Sequence, residues 1–129
     1  MGFSEKVLDL KTLIAEDNAS FREMFKEILQ TLSPSMNIYE AAEGTEALQK
    51  VEVLKPDLVF MDIRLPGENG IQLTQKIEAT YPDTKIIILT SYDSLEYREA
   101  AIRSGGNFYI PKDSSGHVHI EKLVKSMVE

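Results

Sequence analysis

The chain contains no cysteine and no tryptophan. Without cysteine, disulfides, thiol nucleophiles, Cys-ligated zinc and iron–sulfur clusters are excluded together, and the composition is compatible with a reducing compartment. Chemistry has to come from oxygen and nitrogen groups. No stretch approaches 18 consecutive apolar residues, and the N-terminal MGFSEKVLDL has no apolar segment behind a basic start. Neither a membrane span nor a signal peptide is expected, and a cytoplasmic location follows as the expectation. Basic runs are missing as well: 14 Lys and Arg face 21 Asp and Glu, a formal charge of −7. Such a surface repels phosphate backbones and anionic headgroups, so direct contact with nucleic acid or membrane is not expected. Linkers, low-complexity tracts and helix-turn-helix patterns are also absent.

What remains is the composition of one folded domain: 129 residues, 43% apolar and 27% charged. At this length roughly 68% of the unfolded chain's surface can be buried. Residues 11–129 are assigned to the domain and residues 1–10 to an N-terminal extension. Short apolar runs alternate with helix-period segments five times, the pattern of βα units around a parallel sheet. The expected strands are residues 12–15, 38–41, 58–61, 86–89 and 108–110. The first, third and fourth are apolar throughout, as strands buried on both faces should be, and the second and fifth belong nearer an edge. Phe21, Met24, Phe25, Ile28, Leu29 and Leu32 recur at helical spacing up to Ser33-Pro34. Leu48, Val51 and Leu54 mark a second helix ending before Lys55-Pro56, and Leu73 and Ile77 a third ending before Tyr81-Pro82. Residues 95–103 form a weaker fourth, stopped at Gly105-Gly106, and Ile120, Leu123, Val124 and Met127 line a last one. The fold class is α/β, a doubly wound (βα)5 parallel sheet.

In such a sheet all strand C-termini share one edge, and ligands bind there. The residues just beyond the strands are Glu16-Asp17, Asp62, Thr90-Ser91 and Lys112. Singly, each has an ordinary explanation: Asp17 or Asn18 can cap a helix, Asp62 can open a turn before Pro66-Gly67, Thr90 can cap, and Lys112 can be a solvated loop lysine. Jointly they are harder to dismiss. Three carboxylates converge where mutual repulsion would raise their pKa values, and something cationic has to compensate. Magnesium meets that need, since it takes oxygen ligands from one or two carboxylates, water and a phosphate oxygen. Glu16, Asp17 and Asp62 carry −3, and Mg2+ with Lys112 carries +3. A metal, a lysine and a hydroxyl around a carboxylate nucleophile suffice for phosphoryl transfer, in which the protein mainly positions groups and stabilises oxygens.

These residues resemble the receiver domain of bacterial two-component response regulators, from Leu10 to the C-terminus. The matching pieces are LIAED ending at Asp17, VFMDIRLPGENG around Asp62, IILTS with Thr90, and GGNFYIPK ending at Lys112. They stand in order, with 45, 28 and 22 residues separating Asp17, Asp62, Thr90 and Lys112. The resemblance implies a flavodoxin-like strand order, 2-1-3-4-5. It implies that Asp62 accepts a phosphoryl group from a phosphohistidine on a sensor histidine kinase. Glu16, Asp17, Asp62 and the Arg64 backbone carbonyl would bind Mg2+. Lys112 and Thr90 would contact the phosphoryl oxygens, and Tyr109 would switch its ring with Thr90. The readout surface would be the fourth helix, fifth strand and fifth helix, and a homodimer on phosphorylation is one form the output takes. Arg64 and Tyr92 fall on positions that border the path of the hydrolytic water, and both are bulky, so slow self-dephosphorylation is expected. Such a domain is a regulatory phosphoacceptor, not an enzyme with a separate substrate.

Two features depart from the common pattern. Asp113 follows Lys112 where many relatives carry proline, and Pro111 precedes it; Lys-Asp-Ser resembles receivers joined to LuxR-type helix-turn-helix domains. The first acid is Glu16 rather than aspartate, which keeps the charge on a longer arm. The output is therefore expected to be transcription through a C-terminal helix-turn-helix domain outside this chain, with a stand-alone or phosphorelay receiver as the alternative. A haloacid-dehalogenase-type phosphatase would need a second acid where Arg64 stands, and a flavin carrier lacks its hydroxyl-rich phosphate loop. His117 and His119 face apart at i, i+2 on a helix and suit structural or solvent roles better than metal binding. Tyr39, Tyr81 and Tyr97 are too scattered for a stacking platform.

Overall fold

A computed structural model of the chain describes residues 10–90, 99–100, 102–106, 108–112 and 120–122. In chain order its elements are β1 (Lys11–Ala15), α1 (Ala19–Leu32), β2 (Asn37–Ala41), α2 (Gly44–Leu54), β3 (Leu58–Asp62), α3 (Gly70–Thr80), β4 (Lys85–Thr90) and β5 (Phe108–Pro111). Residues 99–100, 102–103 and 120–122 are also helical, which covers parts of the fourth and last expected helices. Leu123, Val124 and Met127 lie outside the described residues, as do residues 1–9, Tyr97, His117 and His119.

The strands form one parallel sheet in the order β2-β1-β3-β4-β5. The two sequences least apolar throughout thus lie at the edges, and the continuously apolar ones lie between them. Side chains alternate across a strand, and each inner strand feeds two cores. Leu13, Ala15, Val59, Met61, Ile86 and Ile88 pack with Ala47 and Val51 of α2 and Leu73 and Ile77 of α3. Ile14, Leu58, Phe60, Ile87 and Leu89 face the other way, onto Phe25 and Leu29 of α1 and onto Ile120. Phe25 meets Phe60 edge-on at 4.7 Å and stacks with Phe21 at 5.8 Å.

Register positions the strand ends. Ala15 pairs with Met61, and Asp62 pairs with Leu89. Glu16, one residue past Ala15, therefore stands level with Asp62, and its N–H still bonds the Ala41 carbonyl at 2.9 Å. Thr90 pairs with Pro111, so Lys112 follows one residue beyond that row. Local chemistry fixes where helices start and stop. The Asn18 side chain caps α1 by accepting from Phe21 N–H at 2.9 Å, and Asn69 caps α3 by accepting from Gln72 N–H at 2.9 Å. Of the two capping candidates at the first strand end, Asn18 takes the role and Asp17 is left exposed. Lys55 closes α2 in the left-handed conformation, φ 48°, immediately before Pro56. Among the described residues no helix is long and apolar enough to cross a membrane.

Candidate functional site

The β1 and β3 ends bring the acids together. Glu16 is fully buried and Asp62 nearly so, whereas Asp17 is exposed. Carboxylate oxygens of Glu16, Asp17 and Asp62 lie within 4.8 Å of one another. Glu16 Oε2 accepts from Asn18 N–H at 3.0 Å, and Oε1 forms an ion pair with Lys112 Nζ. Asp62 Oδ1 accepts from Arg64 N–H at 3.2 Å, and Oδ2 accepts from Lys112 Nζ at 3.1 Å. One ammonium therefore bridges two buried carboxylates from two strands. It also sits over the Phe21 ring, 4.7 Å from the centroid, so a π face holds it from the α1 side.

Burial raises the Glu16 pKa from 4.5 to about 7, and the charge of Asp62 pushes it the same way. Bonds from Lys112 and Asn18 N–H oppose the rise. The expected raised acid is present, but desolvation is its main cause and repulsion between carboxylates is secondary.

Three carboxylates against one ammonium leave a formal excess of two negative charges among hard oxygen donors. This donor set suits an oxygen-seeking divalent cation, and Asp17 faces solvent, from which such an ion arrives.

The remaining candidates take these places. Thr90 is the last residue of β4, on the same sheet edge. Tyr109 lies on β5 opposite Ile88, half-buried against the first core. Arg64 is exposed in the loop after β3, and its N–H is the group that touches Asp62. Tyr92 lies outside the described residues. That loop returns tightly: Gly70 N–H bonds Ile63 O at 2.8 Å, and a Cβ on Gly70 would stand 2.2 Å from the Asp62 carbonyl oxygen. Only glycine lets α3 begin so close to the backbone of Asp62.

Two contributors were not singled out in the sequence. Phe21 fits the apolar stripe of α1, which hides its second contact with Lys112. Arg22 bonds the Glu16 carbonyl through Nη1 at 2.7 Å and pairs with Glu40 Oε1 through Nε at 2.9 Å. A basic residue one turn into the helix that starts beside the acids is the signal that could have found it.

The family described as "Response regulator receiver domain" matches residues 12–125. The oxygen regulatory protein NreC of Staphylococcus haemolyticus is 42% identical over 106 residues, 81% of this chain and 49% of that protein. The chain thus spans about half the length of the curated relatives it matches. Among solved structures, the receiver domain of the putative response regulator NarL from Mycobacterium tuberculosis superposes with a TM-score of 0.83 at 26% identity, covering 93% of this chain and 96% of that one. A DNA-binding response regulator of the LuxR family from Staphylococcus aureus gives a TM-score of 0.79 at 26% identity, covering 92% and 95%.

Proposed function

Because this chain belongs to the response regulator receiver domains, we propose that Asp62 is its phosphoacceptor. The observation that carries the assignment is the Lys112 ammonium, 3.1 Å from Asp62 Oδ2 and shared with buried Glu16. A carboxylate oxygen of Asp62 attacks the phosphorus of a phosphohistidine on a sensor histidine kinase. The new P–O bond forms as the P–N bond breaks, and the histidine nitrogen leaves with that electron pair. Lys112 stays beside the oxygens of the transferred group, and Thr90 hydrogen-bonds them. Glu16, Asp17, Asp62 and the Arg64 carbonyl would hold Mg2+, which when bound would offset negative charge on the phosphoryl oxygens. Tyr109 follows Thr90 as the switch residue, a two-state response to a new anion with strong acceptor oxygens.

The output is regulation of transcription through a C-terminal helix-turn-helix segment, in the cytoplasm. Lys112-Asp113-Ser114 and the LuxR-family likeness favour this over a receiver acting only by protein contact. The reading frame beyond Glu129 separates the two. Incubation with Mg2+ and acetyl phosphate should add one phosphoryl group by intact mass, and Asp62→Asn should gain none. Absence of the adduct in the unmodified chain, or its presence in the variant, overturns the assignment. Arg64 and Tyr92 stand at the sequence positions that border the hydrolytic water in the family, and two bulky residues there should give a phospho-Asp62 lifetime of minutes toward hours. Decay within seconds in Mg2+ after removal of the phosphodonor would contradict that role.

A further inference from the structure

We propose that Arg22 is a positioning residue, which fixes the backbone between Glu16 and Asp17 so that the exposed acid is aimed at the cation. The inference rests on the Mg2+ site described above. Glu16 is the last residue tied into the sheet on this side, through its N–H to Ala41 O at 2.9 Å. Its carbonyl, which orients the peptide leading to Asp17, is held by Arg22 Nη1 at 2.7 Å. On the far side of Asp17, Asn18 N–H is held by Glu16 Oε2 at 3.0 Å. Both peptides flanking Asp17 are therefore fixed, one of them by a side chain from α1.

Arg22 is itself held in place. Its Nε pairs with Glu40 Oε1 at 2.9 Å, and Lys26 pairs with the other oxygen of that carboxylate at 3.4 Å. Lys50 of α2 bonds the Glu40 carbonyl. A brace running from α2 through β2 to α1 thus ends on the peptide before Asp17. Electrostatics gives this brace its purpose. Before a cation binds, three crowded carboxylates push Asp17, the exposed one, away from the other two. The planar guanidinium reaches two separated acceptors, Glu16 O and Glu40 Oε1, through two different nitrogens held at a fixed spacing, a geometry that a lysine at this position does not reproduce.

The test is calorimetric Mg2+ titration of the 129-residue chain, alongside acetyl phosphate labelling at graded Mg2+ and thermal melts. Arg22→Ala should weaken Mg2+ binding about tenfold, the scale of lost support to a metal ligand. Labelling should need correspondingly more Mg2+ for half its maximal rate, with that maximum retained. Arg22→Lys keeps the charge beside Glu40 and should melt near the unmodified chain, yet bind Mg2+ as weakly as the alanine variant. Glu40→Gln, which weakens the pairing that holds Arg22 but leaves Arg22 itself in place, should fall between. If Arg22→Ala fails to fold, the lysine and glutamine variants decide the matter. Wild-type Mg2+ affinity in folded Arg22→Lys, or a loss of maximal rate with unchanged affinity, overturns the role of Arg22 alone. An unmodified chain that neither binds Mg2+ nor is labelled on Asp62 overturns the site assignment from which it follows.

Discussion

Glu16 is a carboxylate that folding prefers to protonate. Its folded-state pKa of about 7 lies above the ordinary 4.5, so its contribution to stability is complete below pH 4.5 and is lost as pH rises through 7. Metal-free protein should therefore lose on the order of 2 kcal/mol between about pH 5 and about pH 8 in urea unfolding. Glu16→Gln, which cannot ionise, should flatten that slope, and an equal slope in the variant would assign the loss to other groups. The acids, Thr90 and Lys112 were legible because each directly follows an apolar run, and a strand's end is what apolar patterning marks best. Arg22 and Phe21 were not, since a helical stripe records which residues face inward and says nothing of what else a ring or guanidinium touches. Between Asp17 and Asn18 the sequence offered two side chains able to cap α1, and only geometry separates them.

Elements carry the alignment of these residues. β3 ends one residue beyond β1, which sets Glu16 level with Asp62, and the N-terminus of α3 closes over Asp62 with no room for a side chain at Gly70. Gly70→Ala forces backbone apart from backbone. It should cost about 3 kcal/mol in denaturant unfolding and slow acetyl phosphate labelling of Asp62 in the fraction that stays folded. A variant with unaltered stability and labelling would mean that α3 shifts freely. Proline and capping residues made helix limits readable, and continuous apolarity separated inner strands from edges. The order of strands was another matter. Periodicity assigns a strand its faces without naming its neighbours, so 2-1-3-4-5 was reached through family resemblance.

At the scale of the whole molecule, the sheet separates two cores and its C-terminal edge collects the chemistry. Phe60 belongs to the core under α1, two residues before Asp62, and touches Phe25 edge-on. Phe60→Ala should cost about 3–5 kcal/mol, a large share of the roughly 5–15 kcal/mol that holds a domain of this kind together. Urea unfolding measures it, and a loss below about 1 kcal/mol would mean that the core refills the space. The net charge of −7 was read as an expectation that the domain does not contact DNA; three of those charges prove to be gathered at one edge of the sheet, and two of them share a single lysine. Lys112 already bonds two carboxylates at rest, so on the assignment proposed above a phosphoryl group arriving on Asp62 would compete with Glu16 for an ammonium that is in use. Its attachment gains less than it would beside an unpaired cation. On that assignment the acyl phosphate would keep a high group-transfer potential, and the phosphoryl group would be easy to hand back to the kinase or onward to another acceptor.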